Sequence, residues 1–153
     1  MLITTHLLAT TVVLAISKAS GSDIATAVLA MSLGAGVLLD LDHIIFHPVE
    51  TVRHTRSFLE DPKGYQTGQA KNATPLHYPV SILPFLIVTL LTRFSFIPLL
   101  CYAIHLSMDA LVFERKLLWP FSDKVFQNFL TQNIKYELAT FVVFMPLTLI
   151  FLI

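Results

Sequence analysis

One apolar stretch of the sequence, residues 80 to 113, is too long to cross a membrane as a single helix. An α-helix rises about 1.5 Å per residue, so this stretch would span about 50 Å, whereas a hydrocarbon core is about 30 Å thick. The stretch must therefore fold back on itself, and TRFSF at 92 to 96 is the polar break at which it can do so. The sequence thus predicts two antiparallel helices joined near Arg93.

Three further apolar segments lie at roughly 2–17, 24–39 and 138–153. Charged residues make up 13% of the 153-residue chain, about half the roughly 25% that is typical of a soluble domain. The mean hydropathy of the chain is +0.72. We therefore expect an all-α integral membrane protein, with a single transmembrane domain over 1–153 and about five transmembrane helices. No basic residue precedes the first segment, which we interpret as a membrane helix rather than a signal peptide.

Two stretches are predicted not to span the membrane. Residues 48–79 are rich in proline, glycine and charge, which indicates a polar loop long enough to carry function. Residues 114–136 contain apolar side chains at helical spacing, which predicts a short helix lying at the interface, with Trp119 and Tyr136 in the headgroup zone. The zero formal net charge gives no support for a nucleic-acid partner, and a single cysteine excludes a disulfide framework and a cysteine-based zinc site.

Lysine and arginine residues assign the two faces of the membrane. Five crossings place the polar loop and the interfacial segment on the same side as Met1, and that side carries eight of the ten basic residues. Because cytoplasmic loops are enriched in lysine and arginine, we predict an inner-membrane protein with its N-terminus in the cytoplasm and its C-terminus outside.

The same topology predicts that most of the remaining ionisable side chains of interest, histidines and aspartates, lie toward the cytoplasmic face. The assignment of that face depends only on the apolar segments and on lysine and arginine. These histidines and aspartates are His6, Asp40, Asp42, His43, His47, His54, His77, His105 and Asp109. Asp40 and His43 are three residues apart, and His105 and Asp109 are four apart, so each pair shares a helix face. Histidine and carboxylate are ordinary zinc ligands and also suit manganese or iron. The pattern predicts a site for one or two divalent ions.

Each of these residues also has a plainer interpretation. His105 and Asp109 permit a structural ion pair, and a lone histidine such as His6 is often a hydrogen-bonded core residue. His47 and His54 fit a solvated loop, and Asp40 fits a residue at the membrane boundary. Ser107 lies between His105 and Asp109 in sequence, but its i+2 spacing points it away from both on a helix, so no hydrolytic triad is predicted.

Three short motifs resemble those of the membrane-bound metal-dependent hydrolases, a family that includes LexA-regulated inner-membrane proteins. They are LLDLDH at 38–43, PLHYP at 75–79 and HLSMDAL at 105–111. LLWPF at 117–121 resembles the proline–aromatic stretch that follows in the family, whereas Tyr78 stands where the family has serine. The resemblance implies a metal site and hydrolase activity. The residues that match the family pattern are His6, Asp40, Asp42, His43, His77, His105 and Asp109.

We therefore predict a hydrolase in which a bound metal activates water for attack on a phosphoester or ester at the cytoplasmic headgroup level. The substrate would be lipid-like, with chemistry similar to that of a phospholipase C or a lipid phosphatase. Asp42 is assigned as a bridging ligand or base, and His43 and His47 as ligand-orienting residues or acids. The candidate phosphate contacts are Arg53, Arg56, Arg115 and Lys116.

Two other functions fit the same residues. Histidine and aspartate inside a membrane commonly mark an ion path, so a divalent-metal or proton transporter is one alternative. A transport path needs polar groups on both sides of the membrane, and the sequence provides few on the outer side. A non-catalytic membrane protein with a structural metal is the other alternative.

Overall fold

A computed structural model describes residues 3–46, 48–49, 52, 60, 74–92, 95–113, 116, 118–126 and 134–152 of the chain. The described residues form α-helices and short 3-10 turns without a β-strand, so the predicted all-α class is confirmed. The helices are α1 (Ile3–Ala19), α2 (Thr26–Gly36), α3 (Leu41–Phe46), α4 (Ile82–Thr92), α5 (Ile97–Val112) and α6 (Ile134–Leu152). The 3-10 turns are Leu38–Asp40, Pro75–His77 and Pro79–Ser81.

The helices follow the apolar segments of the sequence. The long run over 80–113 is divided as predicted, because α4 ends at Thr92 and α5 begins at Ile97. Pro98 lies in the first turn of α5, where its missing N–H costs no helical hydrogen bond. The last helix begins at Ile134, earlier than predicted, so this residue belongs to α6. Residues 127–133 of the predicted interfacial helix lie outside the described residues.

The second apolar segment is not one continuous helix. Val37 has φ −130° and ψ −52°, which is outside the helical region, so α2 ends at Gly36. The chain continues through the turn at Leu38–Asp40 into α3, and the two parts, Thr26–Gly36 and Leu38–Phe46, meet at a bend of 49°. Because of this bend, Asp40 is carried by a turn rather than by a helix.

No single described helix is both long and apolar enough to cross a membrane, whereas the bent pair formed by α2 and residues 38–46 meets the length and composition requirement.

The helices pack around α1, which contacts α2, α5 and α6, while α2 packs along α5. The contact between α1 and α2 depends on Gly36, because a Cβ added there would lie 2.0 Å from Thr10 Oγ1. A Cβ added at Gly34 would meet nothing within 4 Å. Of these two glycines in the SLGAG segment, Gly36 is therefore the one that permits the close approach of helices. Leu39, Tyr102 and Leu106 form an apolar cluster beside this contact.

Candidate metal centre

Four separate parts of the chain each contribute donor side chains to one buried cluster. His6 comes from α1, Asp40 from the turn after α2, and His77 from the turn before α4. His105 and Asp109 come from the second half of α5, where their spacing of four residues places both on one face. His6 and His105 are each 1% exposed, and His77 and Asp109 are each 3% exposed. Apart from the partly exposed Asp40, the cluster thus combines imidazole and carboxylate groups that are almost completely removed from solvent.

The first group of donors consists of His6, Asp40, His105 and Asp109. His6 Nε2 lies 3.4 Å from Asp109 Oδ1 and 3.6 Å from Asp40 Oδ2. His105 Nε2 lies 3.5 Å from Asp40 Oδ1 and 3.9 Å from Asp109 Oδ2. Zinc bonds of about 2.0–2.2 Å in a tetrahedron place neighbouring donors about 3.3–3.6 Å apart. The observed separations lie in or near this range, and one ligand atom from each residue lies within 4.8 Å of the others, so the four residues could hold one ion.

The second group of donors consists of Asp40, His43 and His77, with one ligand atom from each lying within 4.8 Å of the others. His77 Nε2 lies 3.2 Å from Asp40 Oδ1, and the rings of His43 and His77 are 4.6 Å apart. Asp40 belongs to both groups, and its side chain is 20% exposed. This carboxylate therefore joins the buried part of the cluster to its more accessible edge.

A hydrogen bond sets the orientation of His105. Its Nδ1 lies 3.2 Å from the carbonyl oxygen of Gly36, and because a carbonyl only accepts, Nδ1 carries the proton. In the neutral ring, Nε2 then presents a lone pair to the carboxylates of Asp40 and Asp109. Ligating histidines typically hold their second nitrogen in this way.

His77 is oriented by a hydroxyl and a carboxylate. The Thr74 hydroxyl donates to Asp42 Oδ2, so its oxygen accepts from His77 Nδ1 at 2.8 Å. His77 Nε2 consequently presents a lone pair as well, and it lies 3.2 Å from His105 Nε2. Two lone pairs at this distance repel each other unless a cation or a proton lies between them. The arrangement is thus suited to binding a cation.

His6 supports the same interpretation. Its ring stacks on that of His105 with centroids 4.0 Å apart, and neither of its nitrogens has a hydrogen-bond partner among the described residues. A buried polar group without a partner costs about 1–3 kcal/mol. A metal ion bound to Nε2 would satisfy that nitrogen.

The turn that carries His77 is held against α5 by a second set of hydrogen bonds. The Tyr102 hydroxyl donates to the Leu76 carbonyl at 2.6 Å, and Ser81 Oγ donates to the same carbonyl at 3.0 Å. The Tyr102 and Ser81 hydroxyls also contact each other. Tyr78, next to His77, stacks on Trp119 with ring centroids 4.5 Å apart. These contacts fix the position of His77 relative to His105.

The structure brings together six of the seven predicted metal-site residues in groups that could hold a metal ion, namely His6, Asp40, His43, His77, His105 and Asp109. Asp42, the seventh, is 5% exposed and lies on the other side of His77, with Oδ2 3.3 Å from Nδ1 of that ring. Ser107 points away from the cluster, as predicted, and its hydroxyl donates to the Ala103 carbonyl at 2.7 Å.

Only one of the four predicted phosphate contacts, Lys116, belongs to the described residues. Arg53, Arg56 and Arg115 lie outside them, as does His47, the predicted ligand-orienting residue or acid. Lys116 is described, and its Nζ donates to Asp123 Oδ1 at 2.7 Å. This hydrogen bond raises the pKa of the exposed Lys116 ammonium. A phosphate-binding role for these four basic residues and an acid role for His47 remain predictions.

Sequence reasoning missed two groups that orient the histidines. Thr74 is fully buried and is the last residue of the triplet NAT at 72–74. In sequence this triplet resembles a glycosylation site and does not indicate a contact with a ligand histidine. The signal that could have found it is a threonine three residues before a candidate ligand histidine. The Gly36 carbonyl leaves no such signal, because every residue has one.

We expect Thr74→Val to weaken zinc binding by about 10- to 100-fold, since groups that orient ligands typically contribute that much. Valine keeps the shape of the side chain but can neither accept a hydrogen bond from His77 nor donate one to Asp42. Thr74→Ser should retain most of the affinity. Competition against a chromophoric chelator measures the effect.

Thr11→Val is the matched control for this experiment. Thr11 is also buried, but its hydroxyl donates to the Leu8 carbonyl within α1, away from the cluster. Equal zinc affinity for Thr74→Val and Thr11→Val would show that Thr74 does not orient His77.

No protein-family profile, curated protein or solved structure matches this chain. The geometry of the donor cluster is therefore the basis for assigning a function.

Proposed function

We propose that this chain is a membrane-embedded, metal-dependent hydrolase that cleaves a phosphoester or ester bond in a lipid-like substrate. The observation that carries the proposal is the convergence of imidazole and carboxylate groups from four separate parts of the chain at one buried point. Burying ionised carboxylates is costly unless they are paired or bind a metal. In their neutral form, His77 and His105 direct the lone pair of Nε2 toward these carboxylates, and this arrangement is suited to metal binding.

Zinc is the ion that this combination of donors favours, and manganese and iron are also compatible. A bound divalent ion supplies a Lewis acid and a water of lowered pKa for attack on an ester or phosphoester. The side chain of Asp40 is 20% exposed, whereas those of the four buried donors, His6, His77, His105 and Asp109, are at most 4% exposed. Substrate would therefore approach from the side of Asp40. The contacts of Asp42 with Thr74 and His77 support an orienting role for this carboxylate over the bridging or basic role suggested by sequence.

The surface of the helices supports a lipid environment. Large apolar side chains on α4 and α6 are exposed, including Leu91 at 79% and Ile150 at 69%. Extensive apolar exposure of this kind is unusual in monomeric soluble proteins and typical of surfaces that face lipid or a partner. The distribution of lysine and arginine favours an inner-membrane location with the site on the cytoplasmic side. The substrate would then be a membrane lipid presented at headgroup depth.

The test is hydrolysis of defined lipids by purified protein in nanodiscs. Nanodiscs that contain phosphatidate test for a phosphatase, and nanodiscs that contain phosphatidylcholine test for a phospholipase C. We expect one of these substrates to be cleaved, a strong chelator to abolish the reaction, and added zinc to restore it. Ser107→Ala should hydrolyse at the normal rate, because its hydroxyl bonds only within α5 among the contacts described.

Undiminished hydrolysis after complete metal removal would contradict the proposal. If neither phospholipid is cleaved, a lipid carboxylic ester tests the ester branch, and failure there as well would reject the hydrolase.

A structural metal is the second candidate, favoured by the four protein donors of the first group. Structural sites are normally closed by four ligands, whereas catalytic sites keep one position open. In that case metal removal would lower the melting temperature, and hydrolysis would be absent from all the lipids tested.

A further inference from the structure

We propose that the centre holds two divalent ions, a buried ion on His6, Asp40, His105 and Asp109, and a second ion on Asp40, His43 and His77, with Asp40 bridging them. The inference rests on the proposed metal-dependent function. It also assigns different roles to the two positions. The buried ion stabilises the helix packing, and the second ion is the one that contacts substrate.

The number of donors is the first argument for two ions. Six side chains offer ligand atoms within the cluster, whereas zinc usually takes four ligands. His6 belongs only to the first group and His43 only to the second. A single four-coordinate ion therefore leaves part of the cluster unused.

The arrangement of Asp40 is the second argument. Its Oδ2 lies 3.6 Å from His6 Nε2, whereas its Oδ1 lies 3.2 Å from His77 Nε2 and 3.5 Å from His105 Nε2. A carboxylate that contacts histidines of both groups is placed to bridge two ions. The ring centroids of His6 and His105 are 4.0 Å apart and those of His43 and His77 are 4.6 Å apart, both closer than the 5.2 Å between His77 and His105.

Burial separates the roles of the two positions. In the first group three of the four donors are buried, and four protein ligands would complete the coordination of a zinc ion. In the second group Asp40 and His43 are only half-buried, and three protein ligands leave a coordination position open. Three ligands and an open position are what a catalytic zinc site requires. The second ion should also be the more easily removed, because it has fewer ligands and lies nearer to solvent.

Metal content per chain tests the proposal directly. Zinc-loaded protein in nanodiscs, freed of excess metal, should contain two ions by elemental mass spectrometry, and Ser107→Ala should also contain two. His43→Ala should retain one ion and lose hydrolysis. His6→Ala should also retain one. Loading with manganese should give an exchange-coupled electron paramagnetic resonance signal in the unmodified protein, which does not depend on any variant folding correctly.

The outcomes separate this inference from the proposed function. One ion per chain and an uncoupled manganese signal would overturn the two-ion centre, while chelator-sensitive hydrolysis would leave the proposed function standing. Normal hydrolysis by His43→Ala with one ion bound would overturn the division of roles. A protein that binds no divalent ion would reject both.

Discussion

Asp109→Asn should remove the buried ion and, because that ion holds together the helices that position the second ion, lower kcat/KM for hydrolysis by at least about 100-fold. Asparagine keeps the size of the side chain, but its neutral amide is a poor replacement for a carboxylate ligand. Asp109 is 3% exposed and faces three histidines, with Oδ1 3.4 Å from His6 Nε2 and Oδ2 3.6 Å from His77 Nε2. Even groups that only orient ligands contribute about 10- to 100-fold. A direct ligand should contribute more.

The measurements are metal content and steady-state hydrolysis of the same preparation. Asp123→Asn is the control, because it makes the same chemical change at an exposed carboxylate that pairs with Lys116. It should retain both metal and activity. Normal zinc content and normal kcat/KM in Asp109→Asn would show that this carboxylate is not a ligand.

Gly36→Ala should lower both thermal stability and zinc affinity. The added Cβ would lie 2.0 Å from Thr10 Oγ1, so α1 and α2 must move apart. Overpacking of this kind typically costs about 1–3 kcal/mol. The Gly36 carbonyl also accepts the hydrogen bond from His105 Nδ1, so movement of α2 would release that ring. Thermal unfolding with and without zinc measures both effects, because a ligand that binds the folded state raises its melting temperature.

Gly34→Ala is the matched control on the same helix. Nothing lies within 4 Å of its added Cβ, and alanine favours a helix over glycine by up to about 1 kcal/mol. This variant should therefore be as stable as the original chain or more stable. In the double variant Thr10→Ala/Gly36→Ala, removal of the clashing hydroxyl should restore part of the lost stability. Equal melting temperatures for the two single alanine variants would show that α1 and α2 do not approach closely at Gly36.

The positions of the helices could be predicted because the length of an apolar run is a local property of the sequence. The fold-back between α4 and α5 followed from the excess length of residues 80–113. The bend after Gly36 could not be predicted in the same way. It depends on the backbone conformation of Val37 and on the contact of Gly36 with Thr10, and neither changes the apolar pattern.

The clustering of donors could also be predicted. Successive membrane-spanning helices run in opposite directions, so every second connection between them lies on the same side of the membrane. The sequence therefore predicts that His6, Asp40, His77 and His105 lie together, and the structure places them in one cluster. The sequence could not separate ligands from orienting groups. Asp42 and His43 are adjacent in sequence, yet Asp42 meets Nδ1 of His77 while His43 joins the donor set. That difference arises from the turn before α3 and from Thr74, a partner distant in sequence.

The spread of the donors along the chain has a consequence for biosynthesis. The first donor, His6, lies on α1 and the last, Asp109, on α5, while none of the donors named above lies on α6. A nascent chain therefore cannot complete the cluster until α5 has been synthesised, but it need not wait for α6. An ion bound at that stage would link α1 to α5 before α6 packs against α1.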